Sequence, residues 1–218
     1  MNVPLRILTT FTLTLCLLQN QSFAALIDFD DNPINFSNPS VANGADAAVV
    51  INGAGPSKIK KDDGYSITNL SYTITANEAE NILVVWDSDR MFDLSANSDL
   101  QVTISGITRV SLSGGLATFF VRGTIDGDIV VESQSIIDAL MGPVTDLPVL
   151  WYRSGVKQNV AAGSHELDQH SGVVWTPSAV GDTLTVSSLY ESVVPVPSVL
   201  SLILLGALPL VRWKNNSA

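Results

Sequence analysis

Both histidines of the chain fall in one heptapeptide, Ser164-His165-Glu166-Leu167-Asp168-Gln169-His170. A zinc-protease helix needs its two histidines at i and i+4, on one helical face, with a glutamate between them. Here they stand at i and i+5, about 140° apart on a helix. Gly163 before them and Ser171-Gly172 after them predict a solvated loop, one that could still hold a metal or an acid–base pair. Paired carboxylates of the kind a glycosidase uses occur at Asp87-Ser88-Asp89 and Asp126-Gly127-Asp128. With 21 acidic residues in the chain, such pairs also arise freely. The sequence has no Gly-x-Ser-x-Gly elbow, no Ser-x-x-Lys and no glycine-rich phosphate cradle between a strand and a helix. It therefore names no catalytic residue and predicts a protein that is not an enzyme.

Oxygen ligands offer a second chemistry. Asp28, Asp30, Asp31 and Asn32 cluster in one run, and Asp87, Asp89, Asp93 and Asp99 follow an apolar stretch. Calcium takes roughly six to eight oxygen ligands, often from such runs. Asp28, Asp30, Asp87, Asp89 and Asp93 are the candidate ligands, and calcium is the one cofactor to consider. Neither run matches an EF-hand loop, and turn-forming, solvated aspartates account for both equally well. Aromatic residues offer a third chemistry. Trp86, Trp151 and Trp175 lie in apolar runs and read as core. Exposed on a sheet, Trp151, Tyr152 and Trp175 would instead stack on sugar rings.

The elements that must position these residues are strands. Turn residues recur every 8 to 12 positions from Asn32-Pro33 to Gly181-Asp182, separated by short runs rich in Val, Ile, Thr and aromatics. Tyr72–Thr75, Leu100–Ser105 and Thr183–Ser187 alternate apolar and polar. Ile82–Trp86 is continuously apolar, as a strand buried on both faces would be. Phe119–Val121 and Ile129–Val131 suit a hairpin across Asp126-Gly127. Gln134–Met141 alone has helical spacing. About ten short strands in this length predict an all-β fold, a β-sandwich of jelly-roll or Ig-like type spanning 25–190.

Charge and cysteine usage narrow the setting. The formal net charge is −10, and all the acidic residues lie between Asp28 and Glu191. Such a surface repels nucleic acid and anionic lipid, so no nucleic-acid partner is expected. The single cysteine, Cys16, lies in an N-terminal apolar run, leaving the body without disulfide, thiolate metal site or cysteine nucleophile.

The two ends read as export signals. Arg6, the apolar run Ile7–Leu18 and Ser22-Phe23-Ala24 predict a secretory signal peptide over 1–24, cut by signal peptidase after Ala24 or Ala25. At the other end Val194-Pro195-Val196-Pro197-Ser198 precedes an apolar run containing Gly206, closed by Arg212, Trp213 and Lys214. The run from Val193 to Trp213 is long enough for a membrane-spanning helix, with the basic end in the cytoplasm. This tail resembles the PEP-CTERM sorting signals of Gram-negative bacteria, with Val196 where the usual motif has glutamate and a thin basic end. The resemblance covers about a ninth of the chain. It implies a linker and sorting motif over 191–198, a transmembrane helix and basic tail over 199–218, and an exosortase-like membrane peptidase that cuts near Pro197. The protein would then be held briefly in the inner membrane and passed to the cell surface or extracellular matrix, where exopolysaccharide is the partner to expect. An uncut single-pass membrane protein and a secreted β-sandwich hydrolase are the rival expectations.

Overall fold

The computed structural model describes residues 25–194. Ala24 with the rest of the predicted signal peptide lies outside the described residues. So do Pro195, Val196, Pro197, Ser198, Gly206, Arg212 and Lys214 of the sorting tail.

The described chain is built of strands, without a helix. In order these are β1 (Ile27–Phe29), β2 (Asn35–Phe36), β3 (Ser40–Val41), β4 (Ala47–Ile51), β5 (Ser57–Lys61), β6 (Gly64–Ala76) and β7 (Ile82–Leu94). There follow β8 (Ser98–Leu112), β9 (Leu116–Ile125), β10 (Asp128–Asp138), β11 (Val144–Val160), β12 (Gly163–Thr176) and β13 (Thr183–Val193). They form two antiparallel sheets. The seven-stranded sheet runs β1-β7-β12-β9-β10, and β2 and β3 also pair with β7. The six-stranded sheet runs β11-β8-β13-β6-β4, and β5 also pairs with β6. After β6 the chain changes layer at every connection except the β9–β10 hairpin.

Side-chain alternation decides which residues fill the space between the sheets. Trp86, Trp175, Tyr65, Tyr72 and Phe92 are the largest of the fully buried side chains. Fully burying a side chain of this kind contributes roughly 1.5–3 kcal/mol. Polar links also cross the gap. The Tyr65 hydroxyl donates to the Ser88 carbonyl at 2.6 Å, and the Ser192 hydroxyl donates to Gln169 Oε1 at 2.5 Å. Each joins a strand of one sheet to a strand of the other.

Short pieces make up two of the sheet edges. β1, β2 and β3 lie one after another along β7, broken where Asn32-Pro33 and Asn38-Pro39 interrupt the ladder. Proline brings no N–H to a ladder, and interrupted edges resist pairing with other chains. β5 carries Lys58, Lys60 and Lys61 along its edge, which has the same effect.

Three sequence expectations change here. Gln134–Met141 is not a helix, because β10 stays paired with β9 to Asp138↔Leu116. Its apolar residues alternate, with Ile137 inward and Ile136 outward, so ladder pairing overrides the local spacing. The histidine segment is not a loop but lies within β12. The last strand does not end at Tyr190 but runs to Val193, because Tyr190, Ser192 and Val194 continue one inward-facing row. Glu191–Val193 are therefore strand, not linker. Val194 is a core residue, and its N–H donates to the Asp63 carbonyl at 2.8 Å.

Candidate functional site

On a strand, residues two apart share a face. His165 and His170 are five apart, so β12 sends them to opposite sides. His165 turns inward at the end of the core, its ring 5.6 Å from that of Phe92. Its Nδ1 meets Asp126 Oδ2 at 2.7 Å, and its Nε2 meets the Ala161 carbonyl at 2.8 Å. It secures the β9–β10 turn, where Asp126 and Gly127 both have positive φ (54° and 79°), the geometry of a type I′ hairpin. The His165 imidazole and the backbone N–H of Glu166 hold the Asp126 carboxyl below its ordinary range, against the opposing effect of burial.

His170 shares the outer face with Glu166 and Asp168. Ladder register sets their neighbours. Asp168 lies between Asp89 on β7 and Thr124 on β9, and His170 lies between Asp87 and Arg122. Gly172 lies between Val85 and Phe120. Asp87, His170, Arg122, Thr124, Val85 and Phe120, with Leu83, Ile129 and Gly127, line an open cleft of about 490 Å³ on the outer face of the seven-stranded sheet, and Asp168 and Gly172 stand beside it in the ladder. The Phe120 ring lies across Gly172, where a Cβ would come within 2.7 Å of its Cζ. The Arg122 guanidinium stands 5.2 Å from the same ring.

Polar groups rim the cleft. His170 Nδ1 is 2.5 Å from Asp87 Oδ1, and Nε2 is 2.8 Å from Asp168 Oδ2. The ring is thus shared between two carboxyl groups. Arg122 Nε is 3.3 Å from Glu132 Oε1, which also accepts from Gln134 at 2.9 Å. Asn35 donates to Asp89 at 2.7 Å. Burial pushes the Asp168 carboxyl up to about 6, with Asp87, Glu166 and Asp89 adding to the effect and His170 opposing it. Burial and the neighbouring Asp89 and Asp126 also raise Glu166. Both imidazole nitrogens of His170 meet carboxylates, not a serine or threonine hydroxyl, so the ring activates no nucleophile in this arrangement. The face combines a flat apolar ring with directional donors and acceptors, a pairing that suits a polyhydroxylated chain.

The sandwich is similar to several solved carbohydrate-binding modules. TmCBM61 in complex with β-1,4-galactotriose is 11% identical, with a TM-score of 0.27, covering 75% of this chain and 90% of that one. The CBM36 module in complex with calcium and xylotriose is 18% identical, with a TM-score of 0.22, covering 70% and 98%. The CBM22-1 xylan-binding domain of Paenibacillus barcinonensis Xyn10C is 16% identical, with a TM-score of 0.23, covering 78% and 94%. Identities and scores at this level assign neither ligand nor site residues to this chain. No protein-family model and no curated protein matches it.

The residues singled out in the sequence are placed as follows. Trp151 and Trp175 are buried, their indole N–H groups donating to Thr108 Oγ1 at 2.8 Å and to the Gly114 carbonyl at 3.1 Å. Neither is placed to stack on a sugar. Tyr152 is 70% exposed, but on β11 of the other sheet. Ile82–Trp86 is not buried on both faces. Leu83 and Val85 are half-buried and line the cleft.

The five candidate calcium ligands do not gather into one set. Asp28 and Asp93 face each other across β1 and β7, while Asp87 lines the cleft and Asp89 pairs with Asp168 across β7 and β12. The carbonyl of Asp30, with those of Lys61 and Gly64, accepts from the Arg90 guanidinium at 2.5–2.9 Å. The cation in that nest is the protein's own. Among the described residues no three His, Cys, Asp or Glu side chains converge as a metal site.

Phe120, Arg122, Thr124 and Gly172 were missed in the sequence. The signal that could have found the first three is the period-two row Thr118, Phe120, Arg122 and Thr124 in β9, where large and polar side chains share the outward face.

Proposed function

We propose that this chain is an exported, non-catalytic surface or matrix protein that holds polysaccharide on the outer face of its seven-stranded sheet. The observation that carries this reading is the Phe120 ring, packed against Gly172 in a cleft lined by Asp87, His170 and Arg122. Ring stacking supplies contact area, and the rim reads hydroxyl positions. The export part rests on the sequence: the signal-peptide pattern at one end and the PEP-CTERM-like tail at the other. In this reading a signal peptidase cuts after Ala24, which leaves the core residue Ala25 in place. An exosortase-like peptidase then cuts near Pro197 and passes the body to the cell surface.

Retention of the protein in native gels that contain polysaccharide tests the binding half. Wild-type protein should be retarded by at least one polysaccharide. Phe120→Ala should lose most of that retardation while keeping its melting temperature, since the ring lies outside the core. Equal retardation of the variant would remove the face from the account. Release of reducing ends by the wild type would overturn the non-catalytic assignment.

A further inference from the structure

We infer that the glycan held on this face carries free amino groups, with an ammonium seated at the Asp168–Thr124 end of the cleft. The inference rests on the glycan-binding reading above. Thr124 and Asp168 face each other across the β9–β12 ladder. Thr124 is 1% exposed, lines the cleft, and its Oγ1 has no hydrogen-bond partner. Asp168 Oδ1 is likewise buried without a partner. The Asp168 oxygen, when ionised, only accepts and so calls for a donor, and the Thr124 hydroxyl across the ladder can accept from the same group.

The surrounding charge says which donor. Asp87, Asp89, Glu166 and Asp168 crowd this end of the face. His170 is shared between Asp87 and Asp168, and Arg122 leans on Glu132. Lys157, beyond the hairpin turn, is taken by Asp126 and Asp128. Carboxylates therefore outnumber the cations that face them. A uronate or sulfated chain would meet repulsion here. A neutral sugar supplies a hydroxyl donor but leaves the charge unbalanced. An ammonium supplies donors and charge together, and charge-assisted bonds are about twice as strong as neutral ones.

Calorimetric titration of the full chain in mild detergent tests this. The probes are hexamers of β-1,4-linked glucosamine, N-acetylglucosamine, glucose and a uronate. The glucosamine hexamer should bind about tenfold or more tighter than the N-acetylated one, and the uronate should not bind. Asp168→Asn, shown folded by its melting curve, should bring that ratio close to one. Glu78→Gln, which removes one exposed charge between β6 and β7, should not change it. An equal or better affinity for a neutral hexamer would overturn the amino-group inference and leave glycan binding standing. So would a preference that Glu78→Gln lowers as much as Asp168→Asn does, since that marks attraction by net charge alone. If the wild type binds none of these hexamers and no polysaccharide in the native gels, both readings fall.

Discussion

Asp168 carries the energetic signature of the face. Its carboxyl titrates near 6 in the folded protein against 3.8 in an exposed chain. Between those values the folded state holds more protons than the unfolded one. Stability from this group is therefore present at low pH and lost as pH rises through about 6. Asp168→Asn removes the ionising group while keeping its shape. The variant should gain stability over wild type as pH rises from 4 to 7, reaching about 1–2 kcal/mol after allowance for solvent screening. Urea unfolding of both proteins across that range checks it, and a constant difference would contradict it. Asp126 and Glu132 shift the opposite way, each held below its ordinary range. Their stability is lost as pH falls, so only the difference between variant and wild type isolates Asp168. A site that destabilises its own fold at neutral pH is one that a cationic ligand would relieve.

At the scale of elements, periodicity was readable and its consequences were not. The alternating runs of β6, β8 and β13 and the Asp126-Gly127 hairpin follow directly from side-chain pattern and turn chemistry. The histidine segment did not, because its flanking glycines read as loop punctuation. In β12, Gly172 instead makes room for the Phe120 ring, a contact from a neighbouring strand that no local pattern contains. Trp175 and Trp151 could be placed in the core from their apolar surroundings, but the face of Tyr152 depended on register. The end of β13 was set by packing too. Val194 belongs to the core, so the packed body reaches at least that far. Intact mass of the protein from its producing cells should show a species starting at Ala25 and ending near Pro197, outside the inner membrane. A species ending before Val194 would contradict this assignment of the domain edge. One still carrying 199–218 in the membrane fraction would make the tail an anchor only.

The whole molecule sets two surfaces against each other. The outer face of the seven-stranded sheet has the cleft, the ring and the crowded carboxylates. The outer face of the six-stranded sheet presents Leu150 and Tyr152, 79% and 70% exposed, on β11. Sequence reading took the tryptophans as core and kept aromatic stacking as the alternative, and of its candidates the fold exposes Tyr152, on the second face. The proposed reading takes the first, because stacking needs polar groups within reach of the same sugar and Phe120 has Asp87, His170 and Arg122 beside it. Hydroxyl-radical footprinting, with and without extracellular polysaccharide from the producing cells, separates the two faces in one measurement. The account predicts that oxidation of Phe120, His170 and Leu83 falls on addition of polysaccharide while that of Leu150 and Tyr152 does not change. Protection of Leu150 and Tyr152 with Phe120 unchanged would contradict it.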